Sequence, residues 1–213
     1  MYRRFGAFQC NLLLEGFYTR LNHVFVLEEI GKDEEHNAVI KERRNGQGAE
    51  VAGVTVEGKV AYLSLVQLQA GVTWQKSHYT RPEKWSKDSS VPAEKRIFRT
   101  PDWYGYFTAT YSPVKPLNIA LSGTYTGSMI VQHMKGYIPK DMAVTTPDFF
   151  DMNLKISYDF SLYKFITLQL NAGVQNIFNA YQRDFDQGKE RDSGYIYGSS
   201  MPRSYFAGAK LMF

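Results

Sequence analysis

The chain has 213 residues, enough for one soluble domain to bury a core, so its length excludes no broad class of protein. Aromatic residues make up 15% of it, led by 15 Tyr, a side chain suited to a boundary between water and lipid. The net charge of +4 comes from Lys and Arg spread through polar segments such as 41–44, with no basic stripe, so nucleic acid is not expected as a partner. Cys10 is the only cysteine, which excludes an internal disulfide and a cysteine metal cluster.

The N-terminal segment lacks the features of a secretion signal. Gln9, Asn11 and Glu15 interrupt the apolar stretch that such a signal needs. No window of the sequence approaches the ~18 apolar residues of a membrane-spanning helix. If the chain belongs to a membrane, we therefore expect it to cross as strands, with its signal on sequence upstream.

Alternation of apolar and polar residues predicts eight strands. It is clearest from Phe150 to Phe160, where Asp151, Asn153 and Lys155 separate apolar neighbours, as expected of a strand with lipid on one face and water on the other. The other face carries mostly Gln, Asn, Ser, Thr and Gly, which suits a wet lumen or a separate plug domain; a solvent-facing sheet is the alternative. The expected strands are roughly 8–24, 49–56, 66–74, 103–111, 117–125, 150–160, 166–175 and 205–213.

The connections between these strands alternate in length. Short ones are expected near 58–63, 112–116 and 160–165, and long polar ones near 27–46, 77–98, 129–147 and 179–203. Outer-membrane barrels sort their connections in this way, with tight periplasmic turns and long extracellular loops. The pattern favours an all-β, antiparallel transmembrane β-barrel segment over a soluble β-sandwich. Eight strands could close on themselves or form part of a wall of about 22 strands.

The last part of the chain resembles the C-terminal end of TonB-dependent outer-membrane receptors, particularly those of Bacteroidetes. The resemblance rests on Asn176-Ile177-Phe178-Asn179 with Tyr181, on Pro202-Arg203, and on a closing strand that ends at Phe213. Upstream, the segments 45–54 and 125–129 are also similar to the family. The match runs through essentially all 213 residues but covers only the distal barrel, since the family's plug domain, its energy-coupling box and its earlier strands have no counterpart.

The resemblance implies that residues 1–213 are the C-terminal strands of a larger barrel in the outer membrane of a Gram-negative bacterium. The whole receptor would import a scarce nutrient, such as an iron chelate, a cobalamin-like compound or a glycan fragment, with energy passed from TonB through the absent plug. Its other partners would be outer-membrane lipid and the barrel assembly machinery. The family implies neither an enzyme activity nor a cofactor.

Two sets of site residues are predicted. Ligand contacts are expected on the long loops, where aromatic and arginine side chains dominate recognition of small ligands. A barrel assembly signal is expected in the last strand at Gly208, Leu211 and Phe213, with Phe206 where a polar residue is usual and with no room for a side chain at position 208. The candidate ligand contacts are Gln132, His133, Arg183, Arg191, Tyr195 and Tyr197.

Other chemistry is weaker in the sequence. Asp184, Asp186 and Gly188 resemble the start of a calcium loop, but the Glu that completes it is not at the right distance, so these carboxylates and Asp192 are expected to be solvated or paired with Arg183, Lys189 and Arg191. The four histidines lie on separate segments, and no metal site is expected.

Two alternatives to a receptor remain open. One is a complete eight-stranded outer-membrane barrel of structural or adhesin type, closed by pairing of the strands near 8–24 and 205–213. The less favoured one is a barrel hydrolase that would use Ser193, His133 and Asp192 at the rim, although no catalytic motif is present.

Overall fold

The structure is a computed structural model that describes residues 2–36, 38–199 and 201–213. The regular secondary structure of these residues consists of β-strands. Among them there is no helix long and apolar enough to cross a membrane. The strands are β1 (Tyr2–Phe5), β2 (Phe8–Leu21), β3 (Phe25–Asp33), β4 (Ala38–Asn45), β5 (Ala49–Tyr62), β6 (Val66–Glu83), β7 (Glu94–Arg96), β8 (Trp103–Val114), β9 (Leu117–Thr126), β10 (Ile130–His133), β11 (Met142–Thr145), β12 (Phe149–Tyr163), β13 (Ile166–Gln175) and β14 (Ser204–Met212).

Nine of these strands form one antiparallel wall in the order β1-β2-β5-β6-β8-β9-β12-β13-β14. Strands that follow each other along the wall are hydrogen-bonded neighbours, so the chain meanders. β7 pairs with the far end of β6, while β3 with β4 and β10 with β11 form two separate hairpins within the long connections. The eight strands predicted from the alternation pattern are therefore confirmed as long members of this wall.

The structure corrects three details of the prediction. The turn expected near 58–63 lies at 63–65, because β5 continues to Tyr62 and pairs with β2 as far as Phe8. The edge of the wall is β1 and not the strand that begins at Phe8. The segment Lys41–Arg44, expected in a solvated loop, lies in β4, where it is exposed.

The register sorts the side chains of the eight long strands onto two faces. One row across the wall joins Leu14, Val56, Val72, Gly105, Tyr125 and Phe150. The row beside it, on the opposite face, joins Glu15, Thr55, Thr73, Tyr104, Thr126 and Phe149. The apolar face is exposed, with Leu14 69% accessible, whereas an aqueous protein would cover such a face. This arrangement is what a wall between lipid and a wet interior requires.

The wall is open. β1 is paired on one side only, with β2, and β14 on one side only, with β13, and within the described part of the chain these two edge strands do not pair with each other. Closure of the strand at Phe8 onto the last strand is excluded in this arrangement, because β1 already occupies that edge of β2. The open sheet expected for a piece of a larger barrel is thus what the chain forms.

Candidate functional site

The long connections all meet at one end of the wall. In a meander, successive connections alternate between the two ends, and here the tight turns 6–7, 63–65, 115–116 and 164–165 share one end. The other end carries the long segments 22–48, 84–102, 127–148 and 176–203. The last three of these are joined by side-chain hydrogen bonds into one structure, named here the loop platform.

Asn176 anchors the last loop where it leaves β13. Its backbone adopts a left-handed conformation, with φ of 51°, a conformation that asparagine accepts more readily than most residues. Its side chain is buried and donates to the carbonyls of Ala180 and Met201, both at 3.0 Å, and accepts from the Ala180 amide at 2.8 Å. Asn179 accepts from the amide of Arg203 at 2.9 Å. The two asparagines of the 176–179 motif therefore tie both ends of the loop together.

His133 and Asp186 form the centre of the platform. The histidine Nε2 lies 2.9 Å from one oxygen of Asp186, and the two side chains are only 10% and 2% exposed. The ring of Tyr195 stacks on the imidazole with 3.7 Å between centroids and 7° between planes. Because His133 lies on the hairpin of β10 and β11, this pair joins that hairpin to the last loop.

Asp184 accepts hydrogen bonds from two tyrosines of the same loop. The hydroxyl of Tyr197 donates to it at 2.6 Å and that of Tyr195 at 2.9 Å. Burial alone would raise the pKa of the Asp184 carboxyl, but these hydrogen bonds, with that of Tyr197 the stronger, lower it below its ordinary value. Burial and then the hydrogen bond to Asp184 raise the pKa of Tyr195 to about 12, and the same two causes raise the pKa of Tyr197.

Gln182 and Arg99 complete the inner contacts of the last loop. Gln182 is buried, donates to the carbonyl of Tyr195 at 3.0 Å and accepts from the amide of Tyr197 at 2.9 Å. Arg99, which lies in the segment 84–102, donates through its guanidinium to the carbonyls of Ile196, at 2.6 Å, and of Gly194. A third long connection is thereby fixed to the loop.

Asp141 joins the segments 84–102 and 127–148. It is buried and accepts from the hydroxyl of Ser86 at 2.6 Å and from the amide of Lys135 at 2.7 Å. Gly136, the residue after Lys135, lies close to the last loop. A Cβ at this position would lie 2.4 Å from the carbonyl oxygen of Glu190. The three long connections therefore pack against one another.

The six candidate ligand contacts fall into two groups. His133 and Tyr195 are buried inside the platform, 8% and 4% exposed. Arg183 and Arg191 are exposed, and Gln132 and Tyr197 are half-buried. The guanidinium of Arg183 lies 5.1 Å from the ring centroid of Tyr181, whereas Arg191 donates to the carbonyl of Gly188.

The loop aspartates were expected to be solvated or paired with basic side chains, and the pairing was wrong. Asp184 bonds to tyrosines and Asp186 to His133, while Asp192 accepts from the amides of Met134 and Gly194, and the predicted pairing with Arg183, Lys189 and Arg191 is not found among the described contacts. The sequence could not reveal these partners, because His133 is more than 50 residues away from Asp186. Asn176 could have been singled out from its motif, whereas nothing in the sequence distinguishes Gln182.

The predicted assembly residues lie along β14 or directly after it. Leu211 faces outward opposite Leu168, and Gly208 faces inward opposite Asn171. A Cβ at Gly208 would lie 3.3 Å from the side-chain amide of Asn171, which would have to shift by a few tenths of an ångström to admit it. Phe213 follows β14 and is 90% exposed.

The platform offers no set of three or more His, Cys, Asp or Glu side chains that could hold a metal ion, within the residues that the structure describes. The trio of Ser193, His133 and Asp192 named for a hydrolase is not brought together among the described contacts: His133 pairs with Asp186, and Asp192 accepts from the amides of Met134 and Gly194. In the last loop, Arg183, Lys189 and Arg191 are exposed together with Asp184 and Glu190, whereas Tyr197 is half-buried.

Comparison with known proteins bears on the fold. The family model described as "TonB dependent receptor-like, beta-barrel" matches residues 4–177. A search of curated proteins gave no match. Among solved structures, the ferric-catecholate import receptor Fiu of E. coli superposes with a TM-score of 0.58 at 19% identity, over 96% of this chain and 27% of Fiu.

Two further structures are similar to the same degree. The ferripyoverdine receptor of the outer membrane of Pseudomonas aeruginosa, solved with ferripyoverdine, gives a TM-score of 0.58 at 14% identity, over 97% of this chain and 25% of its own. The FrpB iron transporter of Neisseria meningitidis gives 0.56 at 13% identity, over 99% of this chain and 30% of its own. At these identities the likeness shows the fold alone, and the chain spans between a quarter and a third of the length of each.

Proposed function

The chain belongs to the TonB-dependent receptor-like β-barrel family, and on that premise we propose that it is part of an outer-membrane receptor for active uptake of a scarce nutrient. The observation that carries the proposal is the amphipathic open wall, whose long connections fold into one platform at a single end. A receptor needs both features, since the wall must meet lipid and the loops must hold recognition residues in fixed positions.

The residues 1–213 would be the C-terminal strands, with the plug and the earlier strands supplied by the rest of the receptor. TonB would act through that plug. The barrel assembly machinery would recognise Gly208, Leu211 and Phe213, and outer-membrane lipid of a Gram-negative cell would cover the apolar face. Placement in the Bacteroidetes branch of the family stays a prediction.

Iron chelates are the ligand class that we favour over cobalamin-like compounds and glycan fragments. The similar solved structures are described as receptors or transporters for ferric catecholates, ferripyoverdine and iron. The carboxylates of Asp184, Asp186 and Asp192 bond to other partners, so the guanidinium groups of the exposed Arg183 and Arg191 are not paired with them. Many ferric chelates are anions, and an exposed guanidinium group that is not paired with a carboxylate of the loop can donate hydrogen bonds to them.

The role of the six candidate contacts is divided in this proposal. Arg183, Arg191, Gln132 and Tyr197 would touch the ligand, because they are exposed or half-buried. His133 and Tyr195 would position the last loop, because they are buried where the hairpin of β10 and β11 packs against it. Neither group is proposed to catalyse a reaction.

The test is the double substitution Arg183→Gln with Arg191→Gln in the intact receptor. We expect ligand affinity to fall by about tenfold or more, since each lost charge contact at a binding site is worth of order 1 kcal/mol. The matched control, Lys115→Gln with Lys164→Gln, removes the same charge from exposed turns at the opposite end of the wall and should leave affinity unchanged. Binding is measured with a ferric catecholate chelate and uptake in cells with and without TonB. Unchanged affinity in the double variant would contradict the role of this rim, and uptake without TonB would contradict the mechanism.

A further inference from the structure

Oxygen atoms of three side chains in the last loop converge at one point. The hydroxyls of Tyr197 and Tyr195 donate to different oxygens of the Asp184 carboxylate, to Oδ1 at 2.6 Å and to Oδ2 at 2.9 Å. In an octahedral shell with metal–oxygen bonds of about 2.0 Å, adjacent ligand oxygens lie about 2.8 Å apart. Each phenol oxygen is therefore already as far from the carboxylate as a neighbouring ligand of a small cation would be.

Both tyrosines are held in place by contacts that do not involve their hydroxyl groups. The ring of Tyr195 stacks on that of His133, with 3.7 Å between the centroids. Gln182, which is buried, donates to the carbonyl of Tyr195 at 3.0 Å and accepts from the amide of Tyr197 at 2.9 Å. Loss of the phenol protons would leave these contacts intact, so the hydroxyl oxygens could exchange their protons for a metal ion without rearrangement of the loop.

The oxygen cluster is accessible from the mouth of the wall. Asp184 is exposed and Tyr197 is half-buried, while Tyr195 would contribute only its hydroxyl oxygen from a buried ring. The ring of Tyr197 lies 6.0 Å from that of Phe149, which belongs to the inward-facing row of the wall. A ligand that moves from the loops toward the interior would therefore reach this cluster.

The charges of the three groups favour a trivalent cation. Loss of both phenol protons would give three negative charges with the carboxylate, which neutralise Fe³⁺ but leave an excess beside any divalent cation. Burial and then the hydrogen bonds to Asp184 raise the pKa of Tyr195 to about 12 and also raise that of Tyr197. Displacement of both protons at neutral pH therefore needs a strongly polarising cation. Anionic oxygen donors suit hard cations of this kind.

We propose that Asp184, Tyr195 and Tyr197 bind ferric iron directly while the iron is still held by a chelate that leaves some coordination positions open. Each phenol O–H bond breaks as an Fe–O bond forms, the two protons pass to solvent, and the iron stays ferric. Carboxylate chelates with few donor atoms leave such positions, whereas a chelate that fills the whole coordination shell would bind without these oxygens. The inference rests on the proposed function, since it names the kind of iron chelate that the last loop would take.

The test offers ferric nitrilotriacetate, an open carboxylate chelate, to the intact receptor purified in detergent. Ferric iron bound to a phenolate absorbs visible light by tyrosinate-to-iron charge transfer, an absorption that the chelate alone lacks. We expect this absorption to saturate at about one iron per receptor with release of protons, to weaken in Tyr197→Phe and to be lost in Tyr195→Phe/Tyr197→Phe. The matched control Tyr181→Phe should keep it in full, because Tyr181 is half-buried in the same loop but contacts Arg183.

Three outcomes would overturn this inference: no charge-transfer absorption in the unchanged receptor, the same absorption in the double variant, or an equal loss in Tyr181→Phe. Binding of a ferric catecholate chelate and recovery from the outer membrane are measured on the same samples. A receptor that binds no ferric chelate fails the proposed ligand class, whereas one that binds the catecholate chelate but shows no absorption with ferric nitrilotriacetate fails this inference alone.

Discussion

Asp184 shows how single residues of the loop platform are matched to their surroundings. Its carboxylate accepts from Tyr197 and Tyr195, and the resulting pKa lies below the ordinary 3.8. A lowered folded-state pKa stabilises the loop at pH values above 3.8 and ceases to do so as the pH falls through the folded value. The raised tyrosine pKa values act in the opposite direction: their contribution is complete below pH 10.0 and is lost as the pH rises, for Tyr195 up to about 12.

The substitution Asp184→Asn tests this coupling. The neutral amide removes the negative charge that helps to keep Tyr197 protonated, so we expect that tyrosine to ionise at lower pH than in the unchanged protein. The measurement is tyrosinate absorbance during an alkaline titration, taken as the difference between each protein and its Tyr197→Phe counterpart. Asp192→Asn is the control, because Asp192 accepts from the amides of Met134 and Gly194. An unchanged Tyr197 titration in Asp184→Asn would show that the carboxylate does not govern it.

Between strands, the recurrent feature is a glycine directly opposite an aromatic ring. In each pair the ring covers the glycine so closely that an added Cβ would meet it at 2.3–2.7 Å. Such pairs fix strand register, because a slip of one residue would move the ring onto a side chain. The four pairs are Phe17 with Gly53, Tyr106 with Gly71, Phe107 with Gly123, and Phe206 with Gly173.

Gly173→Ala should therefore impair assembly far more than Gly208→Ala. The new methyl group at position 173 would lie 2.3 Å from the carbonyl oxygen of Leu154 and 2.5 Å from the ring of Phe206, whereas at 208 it would lie 3.3 Å from a flexible amide. Overpacking of this kind costs about 1–3 kcal/mol. The amount of folded receptor in the outer membrane is the readout. Equal levels for the two variants would contradict the register role of Gly173.

The pair of Phe206 and Gly173 also shows what the sequence can and cannot predict. Alternation located β13 and β14 well, because a wall between lipid and water forces polarity to change at every residue. It left Phe206 as an exception, since the reason for an aromatic ring on the polar face lies on the neighbouring strand. The hairpin of β3 and β4 was missed for a related reason: every residue of β4 is exposed, so no alternation of polarity is imposed on that strand.

The loop platform was predictable in part. Its composition and position could be read from the chain, and Tyr195, Tyr197 and His133 do come together. The burial of these three side chains and their hydrogen-bond partners could not be predicted, because both depend on contacts between segments that are far apart in sequence. The 176–179 motif, recognised only by resemblance, proves to have a physical role in closing the base of the loop.

For the whole molecule, the open wall with two unsatisfied edges is the feature that decides its biological context. Unpaired backbone groups in hydrocarbon cost several kcal/mol each, so β1 and β14 require further strands on either side when the wall is in a membrane. The wall spans only 27% and 30% of two of the solved structures that it resembles. Under the proposed function, the apolar outward face would meet lipid, the loop platform would hold the recognition residues, and this chain would supply a sector of the receptor.

The most direct test of that account is labelling of the intact receptor on living cells with a membrane-impermeant thiol reagent. Cys10 is replaced by Ser, and a single cysteine is placed either in the loop platform, as Lys189→Cys, or in the turn 164–165, as Lys164→Cys. Both positions are exposed at opposite ends of the wall. The account predicts that Lys189→Cys is labelled on intact cells and that Lys164→Cys is labelled only after the outer membrane is permeabilised. Equal labelling of the two on intact cells would contradict it.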